Sequence, residues 1–283
     1  MTDSNDIEST ILLRNNIPYD EFFGLTPNEI HNLLYETFGD KSPVQFRNDI
    51  DNNTLDQIPL FRIAEEYLKI IHREKQIKLT PLGALQKKVV VEIYDKRILL
   101  DEDIERGIIK INREEDWTAI RSARLTTEIA GLVKKTNGKL SLTKSGTKLI
   151  QQENRLQLFK LFFQTFTGKF FWGFNDLYTE QPVGQLGWAF SALMLNKFGD
   201  QERTPNFYAE HFLKAFPKVI TFFNDEHLSA NRMFKSCYGH RTFDRFFIWF
   251  GLVTVDKQNT FWDLDKYKLK RTDLLKRVFN FDA

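Results

Sequence analysis

Apolar residues fall three and four positions apart along several stretches of this chain, the spacing of one buried helix face. Ile30, Leu33, Leu34 and Phe38 form the first stripe. It opens on Thr26-Pro27-Asn28-Glu29, where Thr26 and Glu29 suit a capping box, Pro27 suits the first helical position, and Gly39 reads as the stop. The residues before it, 1–20, lack periodicity and read as a loosely packed arm. Residues 40–57, polar and containing Pro43, read as a connection. From Leu60 to Ile71, the positions Ile63, Tyr67, Ile70 and Ile71 predict another helix.

The period then changes. Ile77-Lys78-Leu79-Thr80 alternates like a short strand, and Pro81-Leu82-Gly83 reads as the opening of a helix. A matching segment follows downstream, Leu140-Ser141-Leu142-Thr143, then Lys144-Ser145-Gly146 before Leu149-Ile150. In both segments the Thr suits a helix N-cap. Upstream of the second, Asn112 and Glu115 suit a capping box for a helix over about 113–130, with Gly131 at its C-terminus. Leu132-Val133 starts a strand and Asn137-Gly138 marks a two-residue hairpin turn. Helix, hairpin, helix is the order of the back half of a winged helix, with the hairpin as the wing.

A third, degenerate version closes the chain. Phe243, Phe246, Phe247 and Phe250 predict a helix ending at Gly251, and Leu252 to Val255 a strand. Asp256 to Asn259 read as a turn, Phe261, Trp262 and Leu264 as the return strand, and Thr272 as the cap of a last helix through Leu275 and Phe279. Between the second and third versions the chain is helical and aromatic. Phe159, Phe162, Phe163, Phe166 and Phe170 recur at helical spacing, Trp188, Ala192 and Leu195 lead to Phe198-Gly199, and Thr204-Pro205 starts a helix carrying Tyr208, Phe212 and Phe216. The expected fold is mainly α with small β-hairpins (α+β), winged-helix-like units packed around an aromatic-rich helical middle. Its segments are an acidic arm and helix over 1–57, a tandem winged-helix-like region over 58–150, the aromatic region over 151–240, and a C-terminal winged-helix-like unit over 241–283.

Composition sharpens this picture at two points. Among 283 residues there are 27 Phe and three Met, which predicts a core built on stiff aromatic contacts. The single cysteine, Cys237, excludes an internal disulfide and a multi-cysteine zinc cluster. The polar, acidic start is unlike a signal peptide, and the longest apolar run, Trp188 to Leu195, is interrupted by Ser191 and far shorter than a membrane span. The expected location is cytoplasmic, with no membrane partner. Net charge is only +2, yet residues 1–59 hold 3 Lys/Arg against 11 Asp/Glu while the centre is basic. Such a division suits either a basic segment that meets an anion or two segments that neutralise each other.

Candidate chemistry is sparse. None of His31, His72, His211, His227 and His240 pairs with another at metal-binding helical spacing. Cys237 and His240 are the closest approach to a thiol–base pair, and a lone Cys among aromatics is ordinarily packing. Gly168, Gly173, Gly184 and Gly187 lack the setting of a phosphate loop, and the run Asp101 to Glu105 lacks that of a calcium loop. No catalytic residue, metal or cofactor is expected. Phe170-Phe171-Trp172-Gly173-Phe174 would suit base stacking if it were not core. The basic residues make the stronger case. Arg121 and Arg124 share one side of the helix before the wing, and Lys134, Lys135 and Lys139 flank its turn. These five are the candidate nucleic-acid-binding residues, the arginines for base readout and the lysines for phosphate.

Gly24-Leu25-Thr26-Pro27, followed by His31 and Leu33-Leu34-Tyr35, resembles the start of a family of uncharacterised bacterial proteins. The resemblance continues through Leu79-Thr80, Ala130-Gly131-Leu132, Leu142-Thr143, Phe198-Gly199, Phe207-Tyr208 and Ala215-Phe216-Pro217. Some relatives carry a Cys-rich zinc motif, SEC-C, which this chain lacks, so the resemblance implies no metal. It supports the fold and implies no activity. Two functions are therefore expected: a nucleic-acid-binding, regulatory winged-helix protein acting on duplex DNA, or a protein-interaction module whose winged-helix units are structural. An enzyme is not expected.

Overall fold

The computed structural model describes residues 10–176, 178, 182–223, 229–256 and 267–281. The protein is mainly helical with small antiparallel sheets of two and three strands. It divides into two compact units, a central one of residues 49–177 and 245–251, and a second of residues 1–48, 178–244 and 252–283. The four sequence segments do not map onto these units one to one, because both ends of the chain belong to the second.

In the central unit, α1 (Pro59–Glu74) starts on Pro59 and buries Leu60, Phe61, Ile63, Tyr67, Ile70 and Ile71. The Leu60 N–H donates to the Trp249 carbonyl at 2.8 Å, which ties residues 245–251 into this unit. After β1 (Ile77–Lys78) come α2 (Lys87–Tyr94) and α3 (Thr118–Ile129). The start of α3 lies later than the capping pattern predicts. Asp116, rather than Glu115, accepts the Asn112 and Arg113 N–H groups, each at 2.8 Å, and residues 114–116 form a tight 3-10 turn before the helix.

The C-terminus of α3 closes as expected. Gly131 has φ +72°, its N–H returns to the Glu128 carbonyl, and the Leu132 N–H returns to Thr127. Then β2 (Val133–Thr136) and β3 (Lys139–Leu142) pair antiparallel from Val133↔Leu142 to Thr136↔Lys139. The turn between them has φ 50° at Asn137 and 69° at Gly138, the two positive values a type I′ hairpin needs. Thr143 caps α4 (Lys144–Leu149) through the Gly146 N–H.

The earlier matching segment behaves differently. The Thr80 hydroxyl oxygen accepts the Ala84 N–H inside a turn, and α2 begins only after Gln86, which makes no side-chain cap. Strand β1 pairs with β3, Ile77↔Leu140 and Lys78↔Lys139, giving one sheet in the order β1-β3-β2. The two copies are therefore neighbours in a single sheet and not the openings of tandem units. A two-residue strand cannot satisfy its own backbone groups, and the return strand of the hairpin supplies the partners.

Gly146 marks a close approach in this unit. A Cβ there would stand 2.1 Å from the Leu132 carbonyl oxygen. Gly146→Ala should therefore cost about 1–3 kcal/mol through overpacking. Urea unfolding followed by circular dichroism measures this, and an unchanged midpoint would mean that the Leu132 backbone yields freely.

Helix α5 (Arg155–Gly168) carries the aromatic stripe inward. Phe159, Phe162, Phe163 and Phe166 are all buried and meet Phe61, Trp172, Phe246 and Phe250 ring to ring. Arg155 fastens this helix to α1 with a two-pronged pair to Glu65 at 2.6 and 2.8 Å, and reaches Asp56 at 2.7 Å.

The second unit contains the capping box at Thr26 and Glu29, heading the helix Pro27–Tyr35, which stops four residues before Gly39. Trp188–Phe198, Pro205–Ala215 and Ala230–Tyr238 are further helices, and Trp188 and Phe212 are buried as core. The stretch 40–57 is not merely a connection, since Val44–Phe46 pairs antiparallel with Phe279–Phe281, Val44 opposite Phe281. That pairing takes Phe279 out of the last helix, which is only Leu274–Val278, follows Asp273, and is not capped by Thr272. The expected helix around Phe243 is the π-helix Gly239–Phe247. Val253–Asp256 pairs with Lys268–Arg271, whereas the return strand expected at Phe261, Trp262 and Leu264 lies outside the described residues.

Candidate functional site

The sheet of the central unit sorts its side chains by alternation. Ile77, Val133 and Leu140 are buried on one face. Lys78, Lys134, Thr136, Lys139 and Ser141 share the other, and all three lysines are exposed. Lys78 and Lys139 sit directly opposite each other on adjacent strands, with Lys134 one diagonal step away. Lys135 belongs to the inner face near the tip, and its ammonium group would lie 3.0 Å from a Cβ on Gly83. The Leu79 N–H donates to the Gly138 carbonyl at 2.8 Å, which joins the Thr80–Ala84 turn to the tip of the hairpin. No carboxylate lies within ion-pair distance of Lys78, Lys134, Lys135 or Lys139 among the described residues.

Of the three lysines expected around the turn, Lys134 and Lys139 share the outer face with Lys78, and Lys135 lies on the other face. The signal for Lys78 was the shared alternation of Ile77-Lys78-Leu79-Thr80 and the later segment. Read as paired strands rather than repeats, those segments place Lys78 beside Lys139.

The arginines do not join this face. Arg124 is only 7% exposed, and its Nε and Nη1 donate to Glu114 and Glu128, each at 2.5 Å. Burial opposes its charge, but the two carboxylates outweigh that and hold the guanidinium above its usual pKa. Glu114, itself 1% exposed, also accepts the Leu85 N–H at 2.7 Å. With its fork occupied in this way, Arg124 is not available to read a base. Arg121 is partly buried with its guanidinium 4.6 Å from the Phe174 ring centre.

Most of helix α3 is covered. It packs against α1 and α5, leaving Ile129 exposed and Thr118, Arg121, Leu125 and Glu128 partly so. A groove-entering helix needs a free face, and α3 offers only this half-buried stripe, with Arg121 against Phe174 and Glu128 paired to Arg124.

The aromatic run after α5 divides. Phe170 and Trp172 are buried, whereas Phe171 and Phe174 are 41% and 48% exposed. Cys237 is buried, and the His240 ring nitrogen Nδ1 meets Asp244 at 3.3 Å rather than the thiol. Among the described residues there is no cluster of His, Cys, Asp and Glu able to hold a metal ion, and no helix long and apolar enough to cross a membrane.

No curated protein and no solved structure matches the chain. Residues 56–155 match the family model of the Y4jL N-terminal domain, a stretch that lies within the central unit, holds the whole lysine-bearing sheet and excludes Gly24 to Pro27. Over those residues the chain is similar to a family defined by a domain description and not by an activity.

Proposed function

We propose that the central unit is a winged helix whose wing, not its third helix, binds the phosphate backbone of duplex nucleic acid. The observation that carries this reading is Lys78 opposite Lys139 with no compensating carboxylate among the described residues. Like charges directly opposite on adjacent strands destabilise a sheet, and a polyanion laid across them removes that repulsion. Lys134 continues this positive face along the hairpin away from its tip, and Lys135 adds a cation on the other face beside Gly83. With Arg124 paired to Glu114 and Glu128 and most of α3 packed, recognition follows the backbone and its shape rather than base edges. A cytoplasmic, regulatory role goes with this reading.

The test is binding to a random duplex pool at several salt concentrations, read by fluorescence anisotropy. Charge reversal at Lys134, Lys135 and Lys139 should weaken binding to all sequences alike. The slope of log affinity against log salt should become shallower by roughly 0.9 for each phosphate that the protein no longer neutralises. Lys78→Glu should act in the same direction. Wild-type protein without salt-dependent binding at low ionic strength would overturn the reading. The burial of α3 favours one competing function, a protein-interaction module in which the winged helix is structural. That module would bind a protein partner with the wing lysines reversed as well as without.

A further inference from the structure

The second unit holds a concavity of about 390 Å³, within the size range of small-molecule sites. Its floor comes from Val183 and Phe212, both buried. Its rim carries Tyr35, Leu186 and Phe222, which are 65%, 38% and 49% exposed. Three large apolar side chains turned to water around one hollow form a contiguous patch, unlike apolar residues scattered singly over a surface. The elements that build it are firmly set. Thr204 caps the helix bearing Phe212, and Phe212 and Phe216 lie ring to ring at 4.9 Å. The 3-10 turn Pro217–Phe222 then brings Lys218 and Phe222 to the opening.

Polarity narrows the occupant. Among the described residues lining the hollow, Lys218 is the charged one, and it makes no ion pair among them. Tyr35 and Thr221 add hydroxyl groups, the latter already donating to the Lys218 carbonyl at 2.8 Å. An apolar chamber with one cation at its mouth complements a ligand with an apolar body and one anionic end.

We propose that this hollow binds a small amphipathic monocarboxylate, its hydrocarbon body against Val183 and Phe212 and its carboxylate at Lys218. The site is separate from the wing lysines and does not depend on nucleic-acid binding.

Isothermal titration of the full chain with hexanoate, octanoate and decanoate tests this, with decanol as the uncharged control. Affinity should rise about fourfold for each methylene added until the hollow is full, the effect of burying about 0.8 kcal/mol of chain. Decanol should bind several-fold more weakly than decanoate, and Lys218→Ala should remove that difference while keeping the chain-length trend. Leu186→Glu, at a partly exposed rim position that tolerates a polar side chain, should weaken decanoate more than decanol. No binding, no dependence on chain length, or equal affinities of wild-type and Lys218→Ala protein for decanoate would each overturn the proposal. Self-association that buries Tyr35 and Phe222 and blocks decanoate would also overturn it, by making a second copy the occupant.

Discussion

Arg124→Met should lower the stability of the central unit by about 3–5 kcal/mol, the range for removing one partner of a buried ion pair. Glu114 is 1% exposed, so losing the guanidinium leaves its charge in a place where water cannot solvate it. Among the described residues, the Leu85 N–H would be left as its donor. Glu128, being partly exposed, can turn towards water and contributes less to the loss. The double variant Glu114→Gln/Arg124→Met should recover a large part of the deficit, because it removes the stranded charge along with its partner. Urea unfolding of wild-type, single and double variants measures the coupling. Additive losses would mean that Arg124 acts by packing alone.

Phe166→Ala should cost a similar amount, about 3–5 kcal/mol, through reduced burial and the cavity left behind. Its ring, 1% exposed, meets Phe170, Trp172 and Phe250 at centre distances of 5.5, 5.6 and 5.2 Å. The Trp172 indole N–H also donates to the Phe166 carbonyl at 2.9 Å, so the cavity would open under a wall anchored to the same residue. Phe174→Ala is the contrast. At 48% exposure its truncation should stay within about 0.5 kcal/mol. A Phe166→Ala protein that melted like wild type but failed to bind nucleic acid would move this ring from the core to the interface.

What the sequence made legible was local. The hairpin at Asn137-Gly138 could be read because few residue pairs accept positive φ at both positions. The capping box at Thr26 and Glu29 and the aromatic stripe of α5 are likewise written within a few residues. What escaped was decided by partners far away in the chain. Val44-Gln45-Phe46 is too short to show alternation and becomes a strand only because Phe279–Phe281 lies beside it. The same pairing shortened the last helix. For the candidate site, Lys134 and Lys139 were legible as residues flanking the turn, whereas Lys78 required knowing that β1 joins β3. Arg124 read as a surface cation because its deepest partner, Glu114, sits before the helix and not on it. Its link to Glu128, four residues on, was the available warning.

The pairing of Val44–Phe46 with Phe279–Phe281 also sets a timetable for the nascent chain. The ribosome emits the first strand more than two hundred residues before the second. At roughly 5–20 residues per second, that strand waits on the order of ten seconds or longer without its partner. The helices of the second unit that lie between residues 178 and 244 are delayed with it, since they follow the whole of 49–177. The central unit interrupts the other like a parenthesis, and most of it is synthesised while only residues 1–48 of the other exist. Ribosome-bound chains long enough for residue 177 to have left the exit tunnel should then already protect β2 and β3 from hydrogen exchange, while Val44–Phe46 exchanges freely and offers an open strand to chaperones.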